Sequence, residues 1–307
     1  MPAKGFLTAV ESPEYALAMR ACAINNPAFL DLALLQTADD DLEFILNLTR
    51  QSAIRNNAIA ILNSLVKRGV SFADVKSTDA WGNGQTSTTT LEYLLTQGWD
   101  INTRAYYSTE AKPLMWFAIR NLEMIKWCLE HGASVRPRDM EPIQDNVITQ
   151  CQLRCEQILE LVAESGDVAT FEFLRSKGAP LGWRCLHHAV ESATHGDTSR
   201  EGSESTNHKE RMAMVLHLLD VVKIDVNALD QPPGRMLPMR MGTPICYIPG
   251  SAMLVRDTRE LTWLLLDRGA DPTPGLKYAA MVDYPKFIED VEAWKAEKRG
   301  VNNCCVQ

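Results

Sequence analysis

Apolar residues along this chain recur at spacings of three and four in short bursts, each closed by a glycine. The stretch Lys112 to Ser134, KPLMWFAIRNLEMIKWCLEHGAS, shows the unit most plainly. Leu122, Ile125 and Leu129 fall on one stripe of a 3.6-residue period, which predicts an amphipathic helix. Asn121 is placed to cap its start, and Gly132 to stop it in the left-handed conformation that Gly adopts at little cost. A helix ahead of it can open at Pro113, whose missing N–H would lack an intrahelical partner there in any case. Two helices this short cannot bury both apolar faces alone, so the pair requires neighbours built the same way.

The same ending returns as LVKRGVS at Leu65, LLTQGWD at Leu94, CLEHGAS at Cys128, FLRSKGAP at Phe173 and LLLDRGAD at Leu264. Its glycines are Gly69, Gly98, Gly132, Gly178 and Gly269, and in VVKIDVNALD the place expected for Gly is taken by Lys223. A period of about 33 residues, lengthened in places by insertions, accounts for the spacing. The first half of the unit appears as KPLMWFAI at Lys112, RCLHHAV at Arg184 and GTPICYI at Gly242. The second half appears as GWDIN at Gly98, IDVNALD at Ile224 and GADPTPG at Gly269. In these fragments the chain resembles the ankyrin repeat, whose pattern is roughly TPLHxAA followed by a second helix ending LLLxxGADVNAxD.

The resemblance covers roughly residues 42 to 298. It implies an all-α fold, an ankyrin-type helix-pair solenoid of about six to seven helix pairs with long finger loops. Residues 1–41 read as an N-terminal helical cap, with Ser12 before Pro13 and Asn26 before Pro27 as two helix starts. Repeats fill 42–274. They are irregular at 70–90, where no first helix is legible and only Leu91 to Gln97 reads as helical. A polar insertion at 194–209 predicts a mobile loop, and a second long loop falls at 228–242. The pair from about Val147 to Ser176 has Gly166 at its inner turn, and Asp257 with Glu260 has the spacing of a capping box. Residues 275–299 form a C-terminal helical cap, and 300–307 a flexible tail.

In such a solenoid first helices line a concave side, second helices a convex one, and the residues ahead of each first helix project in a row. Here these are Arg104, Tyr106, Tyr107, Arg136, Arg138, Trp183, Arg235, Met236, Met239 and Arg240. They are types enriched at interface cores, and Met adapts to a partner's shape. With His188 they make the expected partner-binding set. Trp116, Trp127 and Trp263 sit at helical spacing and read instead as core. The function implied is recognition of another protein, as a scaffold, adaptor or inhibitor acting as a monomer without a cofactor. A passive spacer, or an enzyme or small-molecule binder using a pocket near Arg104 to Arg138 and Trp183 to His188, are the alternatives.

Composition narrows this further. The net charge of −8 argues against nucleic acid as partner, because phosphate binding rests on neutralising cations. His187 stands where the family places a structural His that hydrogen-bonds the loop turn. There is no Gly-rich phosphate loop, HExxH, paired CxxC or GxSxG. The N-terminal MPAKGFLTAVESPEY lacks the apolar run of a secretory signal, and the eight cysteines show no framework spacing, so cytosol or nucleus is the expected compartment. The final four residues, Cys304 to Gln307, match a CaaX box. They predict a farnesyl group on Cys304 and reversible contact with a membrane surface.

Overall fold

Polar caps set the first helix starts. Ser12 accepts from the Tyr15 N–H at 3.2 Å and Asn26 from the Ala28 N–H at 3.1 Å, opening α1 (Pro13–Ile24) and α2 (Pro27–Gln36) at the two prolines. The computed structural model describes residues 12–104, 112–136, 156–195, 204–231, 241–250 and 257–304. Within them the chain is all-helical, with sixteen α-helices and no strand. It divides into two compact units, one reaching to Cys155 apart from 119–122, and the other from Glu156 onward together with 119–122.

In the first unit α1 and α2 are followed by α3 (Leu42–Arg55), α4 (Ile59–Lys67), α5 (Ser77–Trp81), α6 (Thr88–Thr96), α7 (Leu114–Phe117) and α8 (Leu122–Glu130). The odd-numbered helices α1, α3, α5 and α7 pack in succession, and α2 lies against α4. Inner turns lock one pair to the next. Asn25, at φ +49°, accepts from the Ala60 N–H of α4 at 2.9 Å. Asn57, at φ +55°, accepts from the Ser87 N–H ahead of α6 at 2.6 Å and donates to the Gln85 carbonyl at 2.9 Å. Each asparagine tolerates the left-handed turn and satisfies backbone groups that a helix start leaves open.

A first helix in the irregular stretch does exist. It is α5, five residues of Ser, Thr, Asp, Ala and Trp without apolar periodicity, held because Ser77 and Ala80 are buried and the Ser77 hydroxyl donates to the Lys112 carbonyl at 2.6 Å. Tertiary contact supplies what local propensity lacks. Trp116 is buried, whereas Trp127 and Trp263 are half-buried.

The second unit contains α9 (Ile158–Ser165), α10 (Val168–Ser176), α11 (Cys185–Thr194), α12 (Glu204–Asp220), α13 (Tyr247–Gly250), α14 (Arg259–Asp267), α15 (Pro272–Met281) and α16 (Pro285–Cys304). Again first helices α9, α11, α13 and α15 pack in succession, while α10 contacts α12 and α14 contacts α16. The described residues hold sixteen α-helices in these two series. Part of the polar insertion is helical, because α12 begins at Glu204. The capping box at Asp257 does not form: Thr258 is the cap position, and Asp257 accepts only from the Arg259 N–H. Nor is the chain extended from residue 300, since α16 continues to Cys304.

Five of the six repeated endings adopt positive φ at glycine, and at the sixth Lys223 stands at φ +66°. An L side chain in this region is strained by about 1–2 kcal/mol, and Lys223 is exposed with no packing to offset it. Lys223→Gly is therefore expected to raise stability by about 0.5–1 kcal/mol, after the greater unfolded-state freedom of Gly is subtracted. Gly178→Ala should lose about as much by the same reasoning. Nothing lies within 4 Å of a Cβ added at Gly178, so the effect would arise from φ alone. Urea unfolding midpoints check both, and shifts of the same sign in the two variants would overturn the argument.

Candidate functional site

The second unit carries an apolar loop with an unusually well-fixed backbone. After α10, Gly178 turns the chain at φ +84° and the Ala179 N–H reaches back to the Leu174 carbonyl at 3.1 Å. Four residues on, Gly182 packs so tightly on Glu160 that a Cβ there would lie 2.2 Å from the Glu160 carboxyl. Glu160 is buried at the third position of α9. One of its oxygens accepts from the Gln157 N–H at 2.9 Å and the other from the Arg184 N–H at 2.8 Å. A single carboxylate thus caps its own helix and anchors the chain just ahead of α11. On either side of Gly182 the large side chains of Leu181 and Trp183 are left 47% and 55% exposed. The loop holds two apolar groups outward on a backbone that is already fixed.

The next loop is tied to the same helix start. Asp225 accepts from the Asn227 N–H, and the Asn227 amide bridges to the Gly269 carbonyl at 3.0 Å and the Asp271 N–H at 2.8 Å. Asp230, 1% exposed, takes three donors on one oxygen: the Tyr247 hydroxyl at 2.6 Å, the Met241 N–H at 2.8 Å and the Gly242 N–H at 3.0 Å. Burial pushes its carboxyl up, but these hydrogen bonds, with Tyr247 foremost, and the nearby His187 outweigh burial and hold it below the usual carboxylate range. Conversely the Tyr247 hydroxyl is pushed up to about 12 by burial and by its bond to Asp230, so it stays protonated and donates.

His187, in the first turn of α11, completes this network. Its Nε2 lies 3.1 Å from the Ala228 carbonyl and 2.9 Å from that of Gly242, while its ring meets the Tyr247 ring edge-on at 5.3 Å. Two carbonyl acceptors require the proton on Nε2, leaving Nδ1, which is buried and without a partner, as the bare nitrogen. Burial pushes the imidazole down to about 4, so it is neutral at pH 7. This is the loop-turn hydrogen bond expected of His187. Leu229, on the loop so held, is also exposed. Leu181, Trp183 and Leu229 therefore stand on two successive loops fastened at the start of α11.

The other predicted residues are placed differently. Arg104 is 5% exposed, inside the first unit, so it presents little surface. Arg136 is exposed at the end of the loop after α8, and His188 is buried on α11. Tyr106, Tyr107, Arg138, Arg235, Met236, Met239 and Arg240 lie outside the described residues. Cys304 is the last described residue, helical in its backbone. Trp183 is exposed and His188 buried, on either side of Arg184 in the chain, and the structure adds Leu181, Leu229, Glu160, Asp230 and Tyr247 to the site. Of these, Asp230 had a signal in the sequence, since it ends the NALD fragment.

The four buried cysteines among the described residues offer little reactivity. Burial pushes the thiols of Cys22, Cys128 and Cys185 up to about 11, 12 and 12, away from the thiolate form that reacts. Among the described residues no group of three or more His, Cys, Asp or Glu is placed to hold a metal ion, and no helix is long and apolar enough to cross a membrane. No family model and no curated protein matches this chain.

Proposed function

We propose that the chain is an ankyrin-type helix-pair solenoid that recognises another protein non-covalently through its loops and first helices. The stacking is supported by a bridge that recurs in both units. Asn102 donates to the Gly132 carbonyl and accepts from the Ser134 N–H, as Asn227 does at Gly269 and Asp271. The left-handed endings support the same reading. The observation that carries recognition is the loop 179–184, where Leu181 and Trp183 are more than 40% exposed on a backbone fixed by Gly182 and Glu160. Exposed Trp and Leu on a flexible loop would lose conformational freedom on binding, whereas here that ordering is already done by folding. Trp is also the side chain most able to concentrate affinity at one point.

The experiment is quantitative capture from native lysate on immobilised wild type and on Leu181→Ala/Trp183→Ala, with circular dichroism to show both are folded. A protein enriched on wild type and reduced at least tenfold on the double variant is expected, since loss of one anchor commonly costs about 2 kcal/mol or more. Equal capture by both proteins would remove this loop from the reading.

A further inference from the structure

Beside Trp183 runs a charged stripe that the network around Asp230 does not use. Arg184 at the cap of α11 and His188 and Glu191 within it recur at helical spacing, near Glu156 just ahead of α9 and Glu164 in its last turn. The Arg184 guanidinium lies 3.4 Å from Glu156 and 3.9 Å from Glu191, and its flat face covers the Tyr247 ring at 5.7 Å. The His188 ring sits between two carboxylates, 3.4 Å from Glu156 and 4.0 Å from Glu164. Its side chain is 9% exposed, yet Nε2 makes no hydrogen bond. Two carboxylates, Glu156 and Glu191, thus face the guanidinium, and a third, Glu164, faces only the His188 ring. Those of Glu164 and Glu191 make no side-chain hydrogen bond among the described residues, and their side chains are 56% and 31% exposed. Arg184 is committed to Tyr247 and to holding Glu156 and Glu191 in place, so the stripe has spare negative charge directed outward.

We infer that the occupant of this surface is a protein segment bearing Lys or Arg, seated on the acidic stripe of α9 and α11 beside Trp183. The inference rests on the interaction reading above and gives it a partner chemistry. Charge complementarity favours this occupant over an acidic or wholly apolar one, which would leave Glu164 and Glu191 desolvated without a counter-charge.

The test uses the full chain and a fluorescent hexa-arginine peptide, with a hexa-glutamate peptide of the same label as control, read by anisotropy at low salt. Hexa-arginine should bind and hexa-glutamate should not, and affinity for hexa-arginine should fall about tenfold in Glu164→Gln/Glu191→Gln, as for the loss of two charge pairs. Equal binding of the two peptides, or hexa-arginine binding unchanged in the Gln variant while circular dichroism shows both proteins folded, overturns the inference. If the lysate partner is lost on Leu181→Ala/Trp183→Ala yet retained by the Gln variant, the loop reading stands and the basic occupant falls. If neither variant loses the partner, the loop and the basic occupant both fall.

Discussion

Asp230→Ala is expected to destabilise the native chain by about 3–5 kcal/mol, the cost of leaving several buried donors without their shared acceptor. Among the described residues the carboxylate is the one acceptor for the Tyr247 hydroxyl and for the N–H groups of Met241 and Gly242. Those groups are fixed by the Asp230 N–H bond to the Gly242 carbonyl and by His187, so they cannot turn to water without opening the loop. Tyr247→Phe removes one donor and leaves the carboxylate with two, so it should cost only about 1–2 kcal/mol. Urea unfolding at pH 7 ranks the two variants. Equal midpoints for Asp230→Ala and wild type would show that the network does not bear on stability. Acid should act in the same direction. A carboxyl held below its unfolded value of about 3.9 contributes stability that is complete above that value and lost as pH falls through the folded one.

The second large effect comes from His187. Native His187 binds no proton until about pH 4, whereas the unfolded imidazole takes one near its ordinary value of 6.5. Between these values the unfolded state holds more protons, so stability is fully present above about pH 6.5 and falls as pH drops towards about 4. The loss attributable to this one group is of the order of 3 kcal/mol. His187→Gln keeps a side-chain donor for the Ala228 and Gly242 carbonyls but has nothing to titrate. The difference in unfolding free energy between wild type and variant should therefore change with pH across this window and be flat above it. Parallel pH profiles would show that native His187 takes its proton at the same pH as the unfolded imidazole, and the depression by burial would then be absent. Both effects act on the loop that carries Leu229, so either variant should also weaken capture of the partner.

Helix endings were legible in the chain itself because they depend on φ at one residue. Gly69, Gly98, Gly132, Gly178 and Gly269 all take the left-handed turn, and so does Lys223, where the pattern asked for Gly. The starts at Ser12 and Asn26 were legible for the same reason, since a cap is satisfied within three residues of the side chain that makes it. Burial of Cys22, Cys128, Cys185 and Cys246 also follows from their place in the helical period.

What tertiary structure alone decided lies across large separations. Glu160 reaches Arg184, and His187 reaches Ala228 and Gly242, because neighbouring pairs stack, and no local spacing announces those partners. Stacking also made a helix of Ser77–Trp81, buried Arg104 that stands in a predicted finger, and left Leu181 and Trp183 outside. A residue's type and period fix where an element begins and which face is apolar. Whether a loop residue is covered depends on the neighbouring pair, whose position is set by the summed packing of helices far apart in sequence.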